Sequence, residues 1–210
     1  MALIILTRSE AVIDAKRDSN TQQFDMRSMG FAPTENFECR YSSDRHKICI
    51  MKYEVRTHTP GELSKTDIAN CLSIIKDGDA VDYSSAAKQL PLAKLIAVVR
   101  AEKEIVGVAA VKNPRSAYAS GIGKKSQFPF EKNMLEVGYV ARRDSHRGHN
   151  LSQLLVTALT TAIPGVPLFA TTSNETMKKT LKAAGFVRRG KEWTSKGKYD
   201  LSLWLKQTAK

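Results

Sequence analysis

The chain has 210 residues, 42% of them hydrophobic and 26% charged, a balance that fits a soluble globular domain and excludes a disordered, fibrous or repeat-built one. Its 33 Lys and Arg against 21 Asp and Glu give a formal charge of +12, which favours polyanionic partners, coenzyme A and RNA or DNA among them, over polycations. The length suits one domain, or one domain with a modest N-terminal elaboration.

The apolar start Met1 to Leu6 is ended by Arg8 and Glu10, too early for a signal-peptide core or a membrane span, so a cytoplasmic protein without membrane attachment is expected. The cysteines Cys39, Cys49 and Cys71 are odd in number and lack metal-ligand spacing, which predicts reduced, mostly buried thiols, no disulfide and no metal. Residues 1–45 show little periodicity and form an N-terminal extension of unassigned structure. Residues 46–210 form the main domain. From Lys47, the run carrying Ile48, Ile50, Tyr53 and Val55 predicts a strand that ends at Thr59-Pro60-Gly61. Leu63, Ile68, Leu72 and Ile75 then recur at helical spacing between an N-cap at Ser64 or Thr66 and a stop at Asp77-Gly78. A short helix over Ser84 to Leu90 follows, and Leu95–Arg100 and Ile105–Val111 read as an antiparallel hairpin.

Asn113 to Asn133 reads as a long polar insertion, with Gly121, Gly123, Lys124, Lys125, Lys132, Phe128 and Phe130. A connection of that length inside a compact domain is usually functional or mobile. Met134 to Ala141 is a strand with one carboxylate, Glu136, inside it, and Asn150 to Ile163 an apolar helix. A strand over Val166 to Ala170, a helix carrying Met177, Leu181 and Ala184 and closed by Gly185, and strands at Phe186 to Arg188 and Tyr199 to Leu205 complete an α+β order.

Chemistry concentrates where the strand ending in Val140-Ala141-Arg142 turns through Arg147-Gly148 into a helix. Unpaired N–H groups and the positive end of the helix dipole meet there, and such a place binds phosphate. Gly148 lets backbone approach an anion, while Arg142, Arg143 and Arg147 add charge. An ordinary βα connection would show the same pattern; the order of the surrounding elements adds to it.

The run Arg147-Gly148-His149-Asn150-Leu151-Ser152 resembles the pyrophosphate loop of the GNAT superfamily of N-acetyltransferases, in which Arg or Gln, two residues, Gly, one residue, and Gly or Ala open a helix. Asn150 stands where the family usually has Gly and Ser152 where it has Gly or Ala; Asn tolerates a left-handed backbone and Ser is small. Asn174 to Phe186 resembles the family's next helix, with its Asn opening and Gly-Phe close. The resemblance implies a mixed, mostly antiparallel central sheet flanked by helices, with two splayed strands admitting the pantetheine arm. It implies acetyl-CoA as co-substrate, held by Val140, Ala141, Arg142, Arg147, Gly148, His149, Asn150, Leu151, Ser152 and Asn174. The acyl group would pass to a primary amine by direct attack in a ternary complex.

Amine acylation needs a proton acceptor, a donor to the thioester oxygen and a proton for the leaving thiolate. Glu136, a carboxylate in an apolar strand beside the loop, is the candidate base; the alternative is an outward-facing strand residue, with Leu135 and Val137 on the opposite face. The family's bulged strand implies a donor at the N–H near Val140. The family's tyrosine acid is missing, because Leu181 stands at its position; Tyr139 and Ser173 are the candidate substitutes, and departure of the thiolate without a dedicated acid is the alternative. His146 and His149 flank the loop without a partner at metal spacing, and Trp193 and Trp204 read as core. The acceptor stays open among small amines, peptides, protein termini, antibiotics and aminoacyl-tRNA, as does self-association into a homodimer. An inactive acyl-CoA-binding protein and an RNA-directed acetyltransferase are the rival readings.

Overall fold

The computed structural model describes residues 2–6, 11–15, 36–41, 51–78, 82–129, 133–195 and 199–207. Ten strands form one sheet: β1 (Ala2–Leu6), β2 (Ala11–Ala15), β3 (Asn36–Tyr41), β4 (Met51–His58), β5 (Leu95–Ala101), β6 (Glu104–Lys112), β7 (Leu135–Arg142), β8 (Leu168–Thr172), β9 (Val187–Ser195) and β10 (Tyr199–Lys206). Their order across the sheet is β2-β1-β3-β4-β5-β6-β7-β8-β10-β9, antiparallel throughout except for the β7–β8 pair. The architecture is the expected α+β one, and the N-terminal extension adds β1, β2 and β3 to the edge of β4. The readings at Ile48, Ile50 and Cys49 fall outside the described residues, as do those at Phe130 and Lys132 and the side chain of Cys39.

Helices cover both faces of the sheet. On one face α4 (Leu151–Ala162) and α5 (Glu175–Ala183) pack Leu155, Val156, Leu159 and Leu181 against Tyr53, Ala97, Val99, Val111, Val137 and Trp204. On the other, α1 (Lys65–Asp77) and α2 (Tyr83–Gln89) set Cys71, Ile74, Ile75 and Ala86 against Ile96, Val98, Val108 and Ala110. Alternate residues of β5 and β6 thus feed two cores, which is why these strands read as near-continuous apolar runs. Truncating a side chain such as the fully buried Leu155 to Ala removes about 2–5 kcal/mol from such a core.

The helix caps follow from the sequence. Ser64 opens α1 by accepting from the Asp67 N–H at 3.0 Å and donating to the Asp67 carboxylate at 2.8 Å. Gly78 closes α1, and Asp82 and Asn174 cap α2 and α5. Cys71 is a buried thiol, pushed up to about 12 chiefly by desolvation.

The polar insertion departs from expectation, because it contains a helix, α3 (Ser116–Ser126). Gly121 and Gly123 lower its intrinsic propensity, and few apolar residues mark its inner face. Tertiary packing supplies what propensity withholds: Ile122 joins Met134, Phe169, Leu203 and Leu205 in a third small core, with Phe128 and Trp193 at its margin. The C-terminal end of α3 meets β9 where Gly190 sits at φ 66° opposite the fully buried Ser126. A Cβ at Gly190 would lie 2.3 Å from the Ser126 carbonyl oxygen.

Gly190→Ala should therefore lower stability by about 2 kcal/mol or more, combining left-handed strain with a backbone clash. Urea unfolding checks this, and an unchanged midpoint would remove the constraint assigned to the α3–β9 contact.

Candidate active site

The site begins where β7 parts from β8. These strands pair in parallel only at Leu135↔Leu168 and Glu136↔Phe169. Beyond that point β7 continues along β6 and β8 along β10, leaving a wedge between them. On its other edge β7 carries a bulge: Gly138 opposes Ala110 and Ala141 opposes Val108, so Tyr139 and Val140 together face Ala109. Tyr139 takes the strain at φ 55°. A bulge releases its extra residue from the ladder, and this one places Val140 outside the β6 register beside the wedge.

Nine residues past Arg142 the chain enters α4. Gly148 stands at φ 90° and Asn150, the N-cap, at φ 53° and ψ 23°; Asn150 adopts the left-handed backbone anticipated for it. Among the described residues no side chain caps α4; by helix geometry the N–H groups of Leu151 and Ser152 have no intrahelical acceptor, whereas those of Gln153 and Leu154 bond the Asn150 carbonyl at 2.9 and 3.1 Å. A Cβ built on Gly148 meets nothing within 4 Å, so the loop opens on a space that a side chain would enter. Arg142 and Arg147 lean on Asp144 at 3.6 and 3.4 Å, with Arg147 and Asp144 largely exposed. Arg143 turns away, its Nε donating to the Ile105 carbonyl at 3.4 Å.

Glu136 is not an outward-facing strand residue. It is 7% exposed, and its Oε2 pairs with the Lys112 ammonium, from the residue directly opposite on β6. The face that Leu135 and Val137 leave to it is covered by helices, so the carboxylate enters a low-dielectric setting in which an ion partner is needed. The Lys112 Nζ also lies 5.0 Å from the Tyr139 ring centroid and 5.9 Å from that of Tyr118. Tyr118, from α3, reaches across the wedge and its hydroxyl meets Thr171 Oγ1 on β8 at 3.0 Å. Burial first, and the Glu136 charge second, push the Tyr118 phenol up to about 12, so it stays protonated. The same two causes raise Tyr139, opposed by a hydrogen bond with Ser85 of α2.

The structure thus brings Glu136, Tyr139 and Val140 to one place, with the Gly148–Ser152 loop at the far end of the same strand. Sequence reasoning missed Lys112, Tyr118 and Thr171. Lys112 ends an apolar strand where a lysine signals little, and Tyr118 sat in a segment read as loop. The histidines face elsewhere: the Tyr53 hydroxyl lies 2.9 Å from His146 Nδ1, and the His149 ring lies 5.2 Å from the Tyr53 ring. The Asn174 side chain accepts from the Met177 N–H at 3.1 Å, the act of a helix cap. Trp204 is core as expected, and Trp193 is half-buried beside α3.

No protein-family model and no curated protein matches the sequence. Solved structures do match the fold. A GNAT-family acetyltransferase from Streptococcus agalactiae aligns with TM-score 0.57 and 15% identity over 74% of this chain and 96% of its own. A putative acetyltransferase from Salmonella typhimurium, solved with its cofactor acetyl-CoA, aligns with TM-score 0.53 and 15% identity over 74% of this chain and 95% of its own. The ribosomal-protein-S18-alanine N-acetyltransferase of Escherichia coli aligns with TM-score 0.52 and 13% identity over 74% of this chain and 96% of its own. At such identities the likeness is one of fold.

His146, beside Tyr53, is partly withdrawn from water. Desolvation first, then the charges of His149 and Arg143, lower the His146 pKa from its ordinary 6.5. The unfolded chain therefore takes up this proton at a higher pH than the folded one, so the stability is full above about pH 6.5 and falls as pH drops toward the folded value. His58 and His149 shift in the same direction, chiefly by burial. His146→Gln should flatten part of the decline in unfolding free energy between pH 6.5 and 5, by less than one proton's worth of slope; identical slopes would show that His146 is not held neutral.

Proposed function

We propose that this chain, which has the fold of the GNAT acetyltransferases, is an acyl-CoA-dependent N-acyltransferase acting on a primary amine. The observation that carries this reading is the order along β7: buried Glu136, then the bulge at Tyr139 and Val140 beside the β7–β8 wedge, then the glycine-opened start of α4. A phosphate fits the loop, since the Cβ position of Gly148 is open space and the first N–H groups of α4 have no intrahelical acceptor.

The Gly148 to Ser152 backbone would hold the pyrophosphate, with Arg142 and Arg147 supplying charge once Asp144 yields them, and Val140 and Ala141 would flank the pantetheine arm. His149 and Asn150 contribute backbone. Bound acetyl-CoA supplies a thioester already activated for acyl transfer. The Val140 N–H polarises the carbonyl. Glu136 receives the amine's proton on Oε1, the oxygen that Lys112 does not hold, directly or through one water. We assign the thiolate's proton to Tyr118 in preference to Tyr139, because the Tyr118 hydroxyl reaches Thr171 on the β8 side of the wedge. Ser173 is not needed for that role.

The acceptor site lies under α3. A cavity of about 230 Å³ between α3 and the β9–β10 pair is lined by Tyr118, Ile122, Lys125, Trp193 and Leu201. Tyr118 connects it to the wedge. Two aromatic rings and one ammonium suit an acceptor with an apolar group and a nearby carboxylate or phosphate. A second reading, an acyl-CoA-binding protein without turnover, is favoured by the ion pair that engages Glu136. Calorimetry with acetyl-CoA beside thiol release across an amine panel separates the two, since binding without turnover selects the second.

Three variants test the assignment. Gly148→Val should weaken coenzyme A binding at least tenfold, about 1.4 kcal/mol, and unchanged affinity in a folded variant removes the loop from the site. Glu136→Gln should lower turnover by roughly 10²–10⁴ with cofactor affinity retained; near-normal turnover would make Glu136 structural. Lys125→Ala should raise the acceptor's KM and leave coenzyme A affinity alone, whereas a loss confined to coenzyme A would place α3 over the cofactor.

A further inference from the structure

The Lys112 ammonium is flanked on three sides. Two aromatic faces, Tyr139 and Tyr118, lie 5.0 and 5.9 Å from its Nζ, and the Glu136 carboxylate closes the third side. Lys112 and Glu136 side chains are only 14% and 10% exposed. The lysine stem crosses β7 at Gly138, where a Cβ would come 3.4 Å from Lys112 Cε. The absence of a side chain at Gly138 therefore leaves room for the ammonium to reach inward, one residue short of the bulge. An amine and a carboxylate thus meet, across β6 and β7, beside the point where β7 leaves β8. An ion pair serving only to neutralise a buried carboxylate would need no second aromatic face brought in from α3.

We propose that Lys112 is itself an acyl acceptor, so that the chain acylates its own β6 strand in a single turnover; this rests on the acyl-CoA reading above. Glu136 takes one proton from the Lys112 ammonium. The freed Nζ lone pair forms a bond to the thioester carbonyl carbon as the carbon–sulfur bond breaks. The nitrogen's second departing proton goes to the thiolate, directly or through the Tyr118 hydroxyl, and Glu136 releases its own to solvent. Ammonium and thioester become amide, free thiol and one proton. The amide carries no charge, so acylation dissolves the pair with Glu136.

The test incubates the full chain with acetyl-CoA and no added amine, follows intact mass and peptide maps over time, and measures acetyl-CoA binding by calorimetry on the same preparation. One acetyl group per chain should accumulate on Lys112 at least tenfold faster than on the exposed Lys124, which reports uncatalysed background. Gly148→Val should bring Lys112 down to that background, and Lys112→Arg, which keeps the charge, should lose the fast phase altogether. Binding of acetyl-CoA with Lys112 modified no faster than Lys124 overturns self-acylation and leaves the acyl-CoA reading standing. Absence of binding removes both. A fast phase that persists in Lys112→Arg moves the acceptor to another residue and overturns the assignment.

Discussion

The parting of β7 from β8 is the constraint on which the rest of the molecule depends. A parallel pair that lasts two positions cannot hold a sheet together by its own ladder. The outer strands β8, β10 and β9 are therefore secured by side chains on both faces: Phe169, Leu203 and Leu205 under α3, and Ala170 and Trp204 under α4 and α5. Helices on both faces act as staples across a seam that backbone hydrogen bonds leave open. A seam inside a sheet can be lined by backbone N–H groups and yet be shielded from bulk water, which is the setting that the proposed thioester chemistry would use.

Burial makes the chemistry beside that seam expensive. Two charges withdrawn from water at Lys112 and Glu136 cost several kcal/mol each before their attraction is counted, and a pair of apolar residues of the same volume would often be more stable. Stability alone thus gives no reason to keep a carboxylate at Glu136. The proton-accepting role proposed for Glu136 would be such a reason, because the pair and the tyrosine rings beside it are in place before any ligand arrives.

Much of this could be read in the chain before folding was considered, for identifiable reasons. The helices α1 and α5 announce themselves through Ser64 and Gly78, and through Asn174 and Gly185, because caps are local chemistry. The left-handed backbone of Asn150 was legible on another ground, the resemblance that sets Gly at its position. What escaped is what depends on distant parts of the chain. α3 has glycines at two interior positions and owes its form to β8, β9 and β10, none of which adjoin it in sequence. The Lys112–Glu136 pair requires the register between β6 and β7, and the long connection between them conceals it; the alternation of Leu135, Glu136 and Val137 told which face Glu136 takes but not that this face is covered. The strands β1, β2 and β3 gave no periodic signal beyond the apolar start, since their place is set by pairing onto β4.

At the far end of the sheet, β9 presents an open edge on which the side chains of Arg188, Arg189 and Lys191 are all exposed. Its pairing with β10 is irregular as well, with Trp193 opposite Leu201 but Arg189 already opposite Leu203. An edge of this kind is a poor template, because its backbone donors and acceptors are out of step and charged side chains flank it. Zipping of two copies edge to edge at β9 is thereby disfavoured.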